Sequence, residues 1–199
     1  MCSSDLHAYI AIRGAANASE TSDVPSDKQQ LYAKALRPVM DYRVNKTKWC
    51  VLRWPTPSMA QAANMSTEAF EDFYFNVCTM DYQRMADAIL PLAKRMRRAN
   101  MVHIKGPGTN LSFSIKGIGA RPCEGKRNIP DGECFTCPTL KSAQGAISFN
   151  TPTLYSGTKF ENIRLELKDG RIVKASGSNE KKLNEILNTD PGARYIGEF

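Results

Sequence analysis

With 199 residues and a formal net charge of +7, the chain is long enough for one ordinary domain or two small ones. Its 42% hydrophobic and 24% charged residues match a globular protein and exclude the disordered and fibrous classes. No apolar run approaches the roughly 20 residues that cross a bilayer, and the start has neither a basic n-region nor a long apolar h-region, so a cytoplasmic protein with no membrane partner is expected.

Met1 to Leu6 differ from the remainder and are read as a non-native leader. From His7 to Arg13 the run HAYIAIR predicts a short buried strand, followed by a polar, acidic loop from Gly14 to Ser26. A helix is expected from about Asp27 to Val44, with Leu36, Val39, Met40 and Arg43 on one side and a kink at Pro38. Lys48 to Trp54 (KWCVLRW) is apolar and β-prone, and Pro55-Thr56-Pro57 ends it. Ser66 or Thr67 caps a helix that repeats Phe70, Phe73, Tyr74 and Val77 at helical spacing; a second helix carries Met85, Ile89, Leu92 and Met96. Met101 to Lys105 (MVHIK) reads as another strand. The order strand, helix, strand, helices, strand is that of an α/β layer.

After Lys105 the texture changes. Gly106-Pro107-Gly108-Thr109 interrupts the chain, and the stretch beyond it is rich in strands and turns. Ile163, Leu165 and Leu167 alternate with Arg164 and Glu166, and Asp169-Gly170 turns the chain into Ile172 and Val173, a hairpin signature. A short amphipathic helix from about Asn179 to Asn188 buries Leu183, Ile186 and Leu187. The expected division therefore falls at Lys105–Gly106, with an α/β part over residues 7–105 and a mainly β part with one helix over residues 106–199.

The positive charge does not carry a nucleic-acid reading. Its densest cluster, Lys94, Arg95, Arg97 and Arg98, ends a helix, where cations complement the dipole, and no aromatic-rich binding motif accompanies it. Six cysteines lack the density of a disulfide scaffold. Cys134 and Cys137 form a CxxC, but no second pair or paired histidines complete a four-ligand zinc site, so both are expected as reduced thiols. His7 and His103 belong to no HExxH pattern and read as packed or edge residues. Gly106-Pro107-Gly108 lacks the Lys-Ser/Thr and helix of a phosphate loop.

Two carboxylates draw interest from their settings. Glu133 sits between a turn and an apolar strand in Asn128 to Thr136 (NIPDGECFT), and Glu198 sits among small and apolar residues in Gly192 to Glu198 (GARYIGE). On composition alone each is a surface glutamate.

These elements also carry a resemblance. Trp49-Cys50-Val51, Trp54-Pro55-Thr56-Pro57 with Ala60-Gln61, Lys105 to Thr109, Asn128 to Thr136, Phe160 to Ile163 and Gly192 to Glu198 are similar, in order and spacing, to the bacterial metalloaminopeptidases of the aminopeptidase T/aminopeptidase S family. The match runs from His7 to Phe199. NIPDGE(V)FT and GAR-x-(I/L)-GE are its specific elements. The resemblance implies that Glu133 and Glu198 ligate a pair of divalent metals, zinc, cobalt or manganese, which polarise the scissile carbonyl and lower the pKa of a bridging water. Glu198 is a candidate ligand, general base, or both. It further implies peptide substrates, a homodimer, and an α/β layer leading into the mainly β start of an α+β catalytic domain, incomplete at both ends.

The departures shape the expectation as well. Family members reach two further histidines and an aspartate beyond the GE element, so the present stretch is expected to be an internal fragment without activity of its own. Cys134 and Cys137 stand where the family has a small apolar residue, and Thr139 to Gln144 departs from its VRDSVNG-like run. The competing reading is a noncatalytic binding or scaffold module built on the α/β part.

Overall fold

A computed structural model describes residues 7–155 and 157–199; the proposed leader lies outside them. The elements in chain order are β1 (Ala8–Arg13), α1 (Ser26–Lys46), β2 (Lys48–Arg53), α2 (Pro57–Ala62), α3 (Thr67–Cys78), α4 (Tyr82–Arg98), β3 (Met101–Gly106), β4 (Thr109–Ser114), β5 (Arg121–Pro122), β6 (Asn128–Ile129), β7 (Cys134–Phe135), β8 (Gln144–Ser148), β9 (Thr153–Tyr155), β10 (Thr158–Phe160), β11 (Arg164–Lys168), β12 (Arg171–Ser176) and α5 (Glu180–Leu187). The fold is mixed α/β. The described residues cluster into two compact units, the first running to residue 85 and including 123–132, the second made of 86–122 and the stretch from 133 onward.

The first unit is built on a parallel sheet of order β1-β2-β6. β1 and β2 run in full register from Ala8↔Lys48 to Arg13↔Arg53, and the two-residue β6 adds Val51↔Asn128 and Leu52↔Ile129. α1 docks through Arg43, whose guanidinium lies 5.2 Å from the Tyr9 ring centroid and 5.0 Å from that of Trp49; such stacking is favourable because a cation sits over the negative face of the ring. Trp49 Nε1 donates to Val44 O at 3.2 Å. Pro57 opens α2 at its first turn, where the missing N–H costs nothing. Ser66 caps α3, its Oγ accepting from Ala69 N at 3.2 Å, and Phe70 and Tyr74 turn inward with Ala60.

β1 forms as expected, but its burial differs. Ala11 is buried, whereas Ile10 is 76% and Ile12 63% exposed: alternate side chains point to opposite faces, and the face that carries Ile10 and Ile12 is uncovered. The helical stripe of α1 is likewise largely in solvent, with Leu36, Val39 and Met40 exposed. Pro38 lies inside a helix that continues to Lys46.

The second unit holds a five-stranded antiparallel sheet of order β12-β11-β8-β4-β3. Gly106-Pro107-Gly108-Thr109 is the turn of its β3–β4 hairpin, which pairs from Met101↔Ser114 to Gly106↔Thr109, so the Lys105–Gly106 position falls inside one hairpin. The β11–β12 hairpin turns at Asp169 and Gly170, with φ of 51° and 79°, the two positive values that a tight hairpin turn requires. At Gly145, where β8 meets β4, φ is 114° and an added Cβ would fall 2.1 Å from Asn110 O, so only glycine fits. Leu111, Phe113, Ile115, Phe160, Leu167 and Ile172 form the core with Leu183 of α5. α5 is capped by Asn179, whose Oδ1 accepts from Lys182 N.

Candidate metal-binding segment

The NIPDGE element spans the division of the chain. Asn128 and Ile129 form β6 in the first unit, Asp131 there accepts from Gly125 N at 2.8 Å, and Glu133 is the first residue on the return to the second unit. Glu133 directly precedes β7, which pairs with β5 through Arg121↔Phe135 and Pro122↔Cys134.

The other flank of this strand is taken by the chain's last residues. Thr136 N donates to Phe199 O and Phe199 N to Thr136 O, each at 2.8 Å. A reciprocal pair of this kind defines antiparallel neighbours, and it sets Glu198 opposite Cys137. Thr136 is buried, with its Oγ1 donating to Gly119 O at 2.6 Å, and the Phe199 ring meets buried Phe113 edge-on, centroids 5.0 Å apart. The structure thus brings the segments of Glu133 and Glu198 side by side, within one unit.

Upstream, the Gly192–Glu198 segment is clamped by Arg194. Its Nε and one terminal nitrogen donate to Asn188 Oδ1 and Asn184 Oδ1, both at 2.9 Å, and the other terminal nitrogen donates to Ile172 O at 3.1 Å. Arg194 O accepts from Ile172 N at 2.8 Å. Charge-assisted bonds to three acceptors fix the direction in which the segment reaches Glu198. No local pattern marks this arginine as an anchor, because its partners lie 6, 10 and 22 residues away.

Both glutamates are exposed, and neither carboxylate makes a hydrogen bond or ion pair among the described residues. Such oxygens suit a hard or borderline divalent ion. Among the described residues no group of three or more His, Cys, Asp or Glu side chains is placed to hold a metal, so the segments are adjacent while no metal site is assembled around either carboxylate. His7 and His103 are both exposed, His103 on the edge strand β3. Cys134 and Cys137 are unbridged; burial pushes the Cys134 thiol above its ordinary range, against a weaker opposing pull from Arg97, and a thiol held neutral is a poor ligand and nucleophile.

Concavities open on this unit, two of them lined by described residues near its sheet. The larger, about 610 Å³, lies between the β3–β4 turn, the end of β8 and the start of β11, lined by Lys105, Ser148 and Arg164 among others. That is the opposite end of the sheet from Phe113, Ala143 and Arg171, against which the glutamate-bearing segments pack. The smaller, about 80 Å³, is lined by Pro138, Leu140, Lys141, Ala143, Tyr195 and Ile196 with Thr139 and Gly170, on the two segments that lead to Cys137 and Glu198.

The model of the thermophilic metalloprotease (M29) family matches residues 2–199. Aminopeptidase PepS of Streptococcus thermophilus is 30% identical over 59% of this chain and 31% of its own length. Aminopeptidase T of Thermus thermophilus is 34% identical over 51% of this chain and 28% of its own length, and aminopeptidase AmpS of Bacillus subtilis 32% identical over 49% and 26%. The chain superposes on wild-type AmpT from Thermus thermophilus with a TM-score of 0.82 at 24% identity, covering 96% of this chain and 54% of that one. It therefore spans about half the length of that relative. A 2,5-dihydroxypyridine dioxygenase from Pseudomonas putida KT2440 also superposes, with a TM-score of 0.52 at 16% identity, so fold alone does not select a chemistry. The family match is the finding that places it: the chain belongs to the thermophilic metalloprotease (M29) family.

Proposed function

We propose that the complete protein carrying this chain is a metal-dependent aminopeptidase that removes N-terminal residues from peptides, a cytoplasmic homodimer with Glu133 and Glu198 as ligands to two divalent ions of zinc, cobalt or manganese. The observation that carries the reading is the reciprocal Thr136–Phe199 pair, which sets side by side the two glutamate-bearing elements of a chain whose family is metalloproteases.

Two bound dications would supply the Lewis acidity that activates a water against a peptide carbonyl. The chain's own residues do the rest. Glu133 and Glu198, exposed and unpaired, offer oxygen donors on adjacent segments, and an Oε atom of Glu198 also takes the proton of the attacking water as general base. Arg194 and Phe199 hold the Glu198 segment in place. Two carboxylates bind a dication weakly without further ligands, so this stretch purified alone is inactive, and the remaining donors come from the rest of the protein.

The test is Glu133→Gln and Glu198→Gln in the complete protein, reading metal content, turnover of leucyl-p-nitroanilide and thermal midpoint. Gln keeps the shape and removes the charge that holds a dication. Metal content should fall, and turnover should drop by more than the roughly 10- to 100-fold typical of losing an outer-shell partner, with little change in midpoint because both side chains are exposed. A doubly substituted protein that retained two metals and the parent rate would make both residues ordinary surface acids.

A further inference from the structure

We infer that the 80 Å³ cavity beside the Glu198 segment is the specificity pocket for the side chain of the substrate's N-terminal residue, shaped for a branched aliphatic group. This rests on the aminopeptidase reading above. The cavity takes its walls from Pro138 to Ala143, from Tyr195 and Ile196, and from Gly170 of the β11–β12 turn, and the first two stretches adjoin the Thr136–Phe199 pair. Ile196 lies two residues before Glu198, and Pro138 adjoins Cys137, the residue opposite Glu198. A peptide whose amino terminus and first carbonyl sat at Glu198 would therefore carry its first side chain to this opening.

The lining fits an aliphatic occupant. Pro138, Leu140, Ala143 and Ile196 are apolar, and Ala143, only 1% exposed, belongs to the buried core. Its volume is about half of the ~150 Å³ that holds a benzene ring, which favours three or four aliphatic carbons over a phenyl ring. Lys141, at the rim, disfavours a cationic side chain by like charge. The walls are stiff. Ser142 Oγ donates to Thr139 O at 2.7 Å and accepts from Ser114 N at 3.0 Å, Gly170 N donates to Ala143 O at 2.9 Å, and Lys141 holds a φ of 67° against Gly170, where an added Cβ would come within 2.5 Å of it. Leu140, by contrast, is 72% exposed, so its side chain can be changed without disturbing the core.

The experiment compares the complete protein with its Leu140→Trp and Leu140→Ala variants on alanyl-, leucyl- and phenylalanyl-p-nitroanilide with zinc, cobalt or manganese added. Leu140→Trp should lower the leucyl-to-alanyl ratio of kcat/KM by roughly 10-fold or more, the scale on which a hydrophobic pocket discriminates one or two methylenes, and Leu140→Ala should raise the phenylalanyl-to-leucyl ratio several-fold. If both variants turn over and the ratios stay within about 2-fold of the parent, the pocket assignment is wrong while the aminopeptidase reading stands. If the parent cleaves none of the three, the aminopeptidase reading fails, and backbone NMR of the same protein decides the pocket. Shifts at Leu140, Tyr195 and Ile196 with L-leucinamide and not with glycinamide support it; equal shifts, or none, overturn it.

Discussion

The two units solve the problem of burying a sheet differently. In the second, an antiparallel sheet keeps one face wet and one dry. β4 shows this directly, with Leu111 and Phe113 buried and Asn110 and Ser112 outside the core, and nine buried residues join into one cluster. In the first, parallel strands call for cover on both faces, yet among the described residues only Ala60, Phe70 and Tyr74 form a buried cluster and Ile10 and Ile12 remain in solvent. The difference teaches where rigidity is available. Both candidate glutamates belong to the better packed unit, on segments tied to its core by Thr136, Phe199 and Arg194, as a site that must hold ligands in fixed geometry requires.

The comparison predicts its largest effect at Phe113. The residue is 1% exposed and touches both the core cluster and the Phe199 ring. Phe113→Ala should cost about 3–5 kcal/mol, the usual range for emptying a large aromatic site that relaxes only partly, read as a fall in the urea midpoint. It should also loosen the Glu198 segment through Phe199. A cost below about 1 kcal/mol would mean that this core is no tighter than an exposed site, and the contrast between the units would collapse.

Much of this organisation is legible in the residues because the signals are local. The Ser66 cap, the Asp169-Gly170 turn and the Leu183 face of α5 all act within a few positions, and the structure places them as periodicity and turn chemistry require. What local pattern cannot reach is anything decided at a distance. Burial of Ile10 and Ile12 depends on whether another element covers their face of the sheet, a property of layer packing that no local pattern carries. The return of residues 123–132 to the first sheet rests on a two-residue strand, β6, too short to show alternation. Gly106-Pro107-Gly108 carries the same breaker chemistry in a hairpin turn as in a linker, and pairing of β3 with β4 decides between them. At the candidate site, Glu133 and Glu198 stand out only through the resemblance of their motifs, since nothing in composition separates them from surface glutamates. Arg194 is silent for the reason its partners show: they are remote in sequence.

An intermediate effect is expected at the start of α3. Ser66→Ala removes the acceptor for Ala69 N and leaves one of the helix's first donors to water, which costs about 1 kcal/mol. The loss should appear in hydrogen exchange of the first turn of α3 and in a small fall of the first unit's melting midpoint. A change confined to the β11–β12 hairpin would contradict the assignment of α3 to the first unit.

The smallest effect, and the sharpest check on the exposed face of the first sheet, is expected from Ile10→Thr and Ile12→Thr. Threonine keeps the branched Cβ that suits a strand, so backbone propensity is nearly constant and the substitution reports burial alone. Side chains that are already 76% and 63% exposed have little apolar surface left to lose. Each change should therefore shift stability by no more than about 0.5 kcal/mol, the range of ordinary surface substitutions, whereas the same change at a covered strand position would lose roughly 1.5–3 kcal/mol of apolar burial in addition to burying a hydroxyl. Urea denaturation of the complete protein measures the difference directly. A loss above about 1.5 kcal/mol for both variants would show that this face is covered in the complete protein, and the thin packing of the first unit would then belong to this stretch of chain alone.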